Sequence, residues 1–168
     1  MPSLHQIQIR YDAVEDRALL RVATTDASEF RFWITRRYAR LLWTALSGSA
    51  ARSAPAAAQA EPAAREAVVA FEKEAALARA DFDTGFTEAP RSTPLGDQPV
   101  LLARVKCARL DSQTTLLALH PVQGQGIEVR LDSTLLHSLL KLIGDAARAG
   151  QWDLNLELPS LAPAGPMN

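Results

Sequence analysis

The residues best suited to chemistry in this chain are arginines gathered in its first quarter. Ile7, Ile9, Leu20, Val22, Phe30, Phe32 and Ile34 alternate with polar neighbours as strand residues facing a core do. The opposite face then carries Gln8, Arg10, Arg21, Arg31 and Trp33, and Arg36, Arg37 and Arg40 follow directly. Guanidinium groups beside an exposed aromatic on a sheet form a platform for stacking bases and contacting phosphates. Arg and Trp are equally favoured where one protein binds another. Residues 1–48 hold seven Lys/Arg and five Asp/Glu, a net of +2, a weak electrostatic footprint for nucleic acid. Arg36, Arg37 and Arg40 also set positive charge against the dipole of the helix they open. That opposition is worth a few tenths to about 1 kcal/mol, which an anion or an acidic partner would offset.

No catalytic pattern competes with that face. The chain has no phosphate-binding glycine loop, no HExxH and no CxxC. His5, His120 and His137 lie far apart, and His137 is expected on the solvated side of its helix. His120, just before Pro121, reads as structural. Cys107 alternates with Val105 and Ala103, so it reads as a buried small hydrophobe. Gly124 and Gly126 read as hairpin residues. No catalytic residue, cofactor site or metal site is expected.

The elements that position the basic face occur twice. With an offset of 97, Phe30, Phe32 and Ile34 fall on Ile127, Val129 and Leu131, and Thr35 falls on Asp132. Thr and Asp are both N-cap types. Behind them the apolar period lengthens from that of a strand to that of a helix: Tyr38, Leu42 and Leu46 match Leu135, Leu139 and Ile143. Upstream, Leu20 and Val22 match Leu117 and Leu119. Ile7 and Ile9 match Val105 and Cys107 after a one-residue slip in a hairpin loop. The expected class is therefore α+β, with an internal duplication of a three-stranded antiparallel meander followed by a helix. The copies span 1–48 and 99–158.

Between the copies, the Ala-rich stretch 47–60 reads as a linker, and Pro62 opens a middle helix to about Ala80. Val68, Phe71, Ala75, Ala78 and Phe82 form that helix's expected apolar stripe. Residues 83–98, with Pro90, Pro94 and Gly96, read as a connector. The second copy is expected to open with one strand over Val100–Leu110, and its helix to end on a left-handed Gly150. A C-terminal strand without counterpart in the first copy follows: Trp152, Leu154, Leu156 and Leu158 alternate with polar residues and form a candidate oligomer edge. Residues 159–168 read as a disordered tail.

Composition bounds the rest. The 168 residues are 48% hydrophobic and 22% charged with a net charge of −1, an ordinary globular balance. A single cysteine forms no internal disulfide, and neither a leader nor a membrane-length apolar run is visible, so a cytoplasmic location is expected.

The segments FRFWITRR and GQGIEVRLDSTLLHSLLKLI, with AGQWDLNLELP, resemble a family of uncharacterised proteobacterial proteins, a likeness that implies no activity. In topology, the duplicated sheet-then-helix unit resembles the whirly type of single-stranded nucleic-acid-binding protein, which has four strands before each helix where this chain has three. The expectation is a non-enzymatic, homo-oligomeric protein-interaction or assembly module. The alternative is a single-stranded nucleic-acid-binding protein using the Arg/Trp face.

Overall fold

The computed structural model describes residues 3–156, apart from the side chain of Ala54. The first copy comprises β1 (Leu4–Asp12), β2 (Arg17–Thr24), β3 (Glu29–Ile34) and α1 (Arg36–Ala51). After α2 (Ala54–Ala57) and α3 (Pro62–Arg79) come β4 (Val100–Leu101), β5 (Arg104–Arg109), β6 (Thr115–His120), β7 (Ile127–Leu131) and α4 (Ser133–Ala149). The class is α+β, with one sheet ordered β1-β2-β3-β4 and another ordered β5-β6-β7.

The duplication holds in the pairing register. Ala18, Leu20 and Val22 pair with Ile34, Phe32 and Phe30. Thr115, Leu117 and Leu119 pair with Leu131, Val129 and Ile127, the same partners displaced by 97. The hairpin slip is there too: Ile7 faces Val22 while Val105 faces Leu119. Both caps act alike. The Thr35 hydroxyl accepts from the Tyr38 amide at 3.1 Å, and the Asp132 carboxylate accepts from the Leu135 amide at 2.8 Å.

Packing crosses between the copies. The two helices pack on each other, α1 lies against β5 of the second sheet, and α4 lies against β1 of the first. The Tyr38 hydroxyl donates to the Arg104 carbonyl at 3.0 Å, and the Ser49 and Thr115 hydroxyls meet at 2.9 Å. On the other side, Tyr11 Cε2 would stand 2.8 Å from a Cβ at Gly150. Leu20, Phe32, Leu42 and Leu46 thus share one continuous core with Leu117, Leu131, Leu139 and Ile143.

Several expectations are corrected. Residues 47–60 are not a loose linker: α1 runs to Ala51, with Ser47, Ser49 and Ala50 buried. The apolar face of α3 is centred on Val69 and Ala76, while Phe71 is 71% exposed. Val100–Leu110 is not one strand. Val100 and Leu101 pair in parallel with Phe32 and Trp33, and the chain then crosses to the second sheet through buried Leu102. Gly150 has φ −82°, so the close approach of Tyr11 and Trp152, rather than a left-handed backbone, demands glycine there.

No C-terminal strand exists among the described residues. Gln151 and Asp153 take φ of 51° and 53°, and these kinks break the extended run the alternation implied. Trp152 is 5% exposed, its ring edge-on to Tyr11, and its amide donates to the Ala147 carbonyl at 3.0 Å. Leu154 and Leu156 are half-buried against the core, so the expected oligomer edge is largely spent within the chain; Leu158 lies outside the described residues.

Leu42 and Leu139 occupy equivalent places in the shared core. Leu42→Ala and Leu139→Ala are each expected to destabilise the protein by about 2–5 kcal/mol. Each variant should keep one cooperative transition in denaturant; a variant in which one copy melts while the other stays folded would contradict the shared core.

Candidate functional site

The outer face of the first sheet carries the arginines, and the fold divides them. Cross-strand pairing sets Arg10, Leu19, Trp33 and Leu101 in one row, and Gln8, Arg21 and Arg31 in the next. Residues 86–97 run across that second row as a strap. Ser92 bridges Ser28 in parallel, with the Glu29 amide donating to the Ser92 carbonyl at 2.8 Å and the Ser92 amide to the Ala27 carbonyl at 2.9 Å. The Thr87 amide donates to the Gln6 side chain at 2.9 Å.

The strap neutralises the row it covers. Arg21 donates to both Glu88 oxygens, at 2.6 and 3.0 Å, and to Glu29 at 3.0 Å. Its guanidinium lies 4.2 Å from the Phe86 ring, with Arg91 at 5.0 Å from the same ring. Arg31 and Arg91 also reach Glu29, at 2.5 and 3.2 Å. Glu29 is 3% exposed and gathers three guanidinium groups. Burial pushes its carboxyl up, but hydrogen bonds from Arg31 and Arg21 outweigh that and hold it below the ordinary range. Arg21 Nε is buried without a partner among the described residues.

The other row stays open. Arg10 is exposed, Leu19 and Trp33 are half-buried, and Leu101 is 47% exposed. Arg17 lies 4.4 Å over the Trp33 ring and pairs with Glu15 at 2.9 Å. Of the remaining predicted arginines, Arg36, Arg37 and Arg40 are all exposed on α1, and Arg36 Nε also donates to the Trp152 carbonyl at 2.6 Å. The face read from the sequence as one surface is thus an ion-pair network beside an open aromatic strip. Strand alternation places a side chain on a face; it carries no information about which loop crosses that face.

Sequence reasoning missed a second locus. His137 is 2% exposed rather than solvated, and it lines a cleft of about 380 Å³ between α3, the start of α4 and the β5–β6 hairpin. Both α3 and α1 pack on its helix, so residues 136–140 are buried in succession rather than on one face alone. Burial, aided by the positive charge of Lys73, lowers the imidazole to about 4, so the ring is neutral near pH 7. Cys107 is half-buried, and burial pushes its thiol up, away from thiolate chemistry. Among the described residues no cluster of three or more His, Cys, Asp or Glu could hold a metal ion, and no helix is long and apolar enough to cross a membrane.

Stability contributed by Glu29 is full above its unfolded value of 4.5 and lost as pH falls through its lower folded value. Glu29→Gln is expected to destabilise the protein by roughly 2–3 kcal/mol at neutral pH, the scale of charge-assisted hydrogen bonds. It should also flatten the acid limb of stability against pH; an unchanged limb in denaturant titrations would show the network to be inert.

Against known proteins, no family model, no curated protein and no solved structure matches the chain.

Proposed function

We propose that the protein is a non-enzymatic, cytoplasmic interaction module that self-associates through the open strip of its first sheet. The observation that carries this reading is the division of the Arg/Trp face. Arg21 and Arg31 are already committed to Glu29 and Glu88, while Trp33, Leu19 and Leu101 remain accessible beside Arg10 and Arg17. Trp and Arg around an apolar centre are the composition of a protein-binding hot spot. The neighbouring hairpin adds Glu15, which pairs with Arg17, and Asp16, so the patch carries both charge signs, which suits the self-complementarity of an isologous contact. Nucleic acid is the weaker reading, because the two central arginines would have to abandon carboxylate partners before meeting a phosphate.

Sedimentation velocity over a concentration series tests the proposal. The wild type is expected to associate, and Trp33→Ala together with Leu101→Ser to shift it to monomer without loss of thermal stability. A wild type that is monomeric throughout, or an association untouched by both substitutions, overturns it. Salt-dependent binding of a single-stranded oligonucleotide that Trp33→Ala abolishes would favour the nucleic-acid reading instead.

A further inference from the structure

The cleft beside His137 lies away from the open strip and has its own chemistry. Its volume of about 380 Å³ falls in the range of small-molecule sites. The N-terminus of the 17-residue α4 enters it through Ser133 and Thr134, bringing the positive end of the helix dipole. Arg79 reaches in from α3, its Nε 3.4 Å from the Thr134 hydroxyl, and Arg109 from β5, anchored on the Ser49 and Ser112 carbonyls at 3.1 and 3.0 Å.

A second observation stands independently of that dipole. His137 Nδ1 is buried in this wall with no hydrogen-bond partner among the described residues. An unpaired buried polar atom is destabilising, so the ring is left with an unmet hydrogen-bonding demand. The cleft's two carboxylates are held back by hydrogen bonds in its wall: Glu72 accepts from the Ser53 hydroxyl at 3.0 and 2.8 Å, and Asp132 caps α4, so their charges offset part of the field of Arg79 and Arg109. We infer that this cleft binds a small molecule bearing an oxyanion, a phosphate or a carboxylate, received by His137, Arg79, Arg109 and the start of α4.

Binding is linked to protonation of the ring. The groups that face His137 from the packed elements are Lys73, Arg79 and Glu72 of α3, Arg109 of β5 and Asp132 at its own helix start. Among them Lys73 opposes the imidazolium. An oxyanion held by Arg79, Arg109 and the helix start favours the imidazolium through its charge, so the ring pKa rises from about 4.

Ring-resonance NMR of the full chain tests the site, with inorganic phosphate, sodium acetate and, as control, sodium chloride titrated at matched ionic strength. The expected result is a saturable shift of the His137 resonances and a raised ring pKa with phosphate, acetate or both, and not with chloride. Phosphate alone would assign a phosphate ester, and acetate alone a carboxylate. Arg79 is exposed, so Arg79→Ala should fold normally and weaken the binding roughly tenfold, as loss of one charge-assisted contact does. The inference is overturned by absent or non-saturating shifts, by shifts that chloride reproduces, or by affinity unchanged in Arg79→Ala.

Discussion

Each helix of the repeat lies against a strand of the other copy's sheet, and the rest of the structure depends on that crossing. Each unit of three short strands and one helix is too small to bury much apolar surface alone. By leaning α1 toward β5 and α4 toward β1, the chain makes two marginal units into one core. Tyr38 illustrates how strict this is: its ring is buried among apolar neighbours, yet its hydroxyl finds an acceptor at Arg104 of the other copy. The same crossing requires glycine at position 150, where Tyr11 of the first sheet comes against the end of α4.

The long connection between copies then has work beyond joining them. Its first half forms α3, which packs along α4 and builds one wall of the His137 cleft. Its second half crosses the first sheet and brings Glu88, Phe86 and Arg91 onto Arg21 and Glu29. A carboxylate as buried as Glu29 is tolerated only with its oxygens satisfied, and three arginines satisfy it. Lying over one row of the face and leaving the next uncovered, the strap sets which arginines are structural and which are available. Electrostatics and topology together, rather than the arginine count, define the surface a partner can meet.

Much of this was legible in the residues themselves. The offset of 97, the hairpin slip and the matched caps at Thr35 and Asp132 follow from period-2 patterning giving way to helical patterning at a capping residue, and the registers agree with them. What escaped notice was tertiary. Alternation at Trp152, Leu154 and Leu156 fits a strand edge and a kinked cover over the core equally well, and two positive φ angles decide between them. His137 sits among polar positions in one copy's alignment with Arg40, yet α3 closes over it, and nothing local to the helix foretells that. The ion pairs of Arg21 span 67 residues to Glu88, a distance at which no spacing rule operates.

The central claim is that the two copies fold only against each other, and division of the chain within the 83–98 connector tests it most directly. The segments on either side of the cut would be produced separately and followed by circular dichroism and amide exchange, alone and mixed. The account predicts that neither segment alone unfolds cooperatively and that mixing restores protected amides in both sheets. A first-copy segment that melts cooperatively by itself, with β1 to β3 protected, would contradict it.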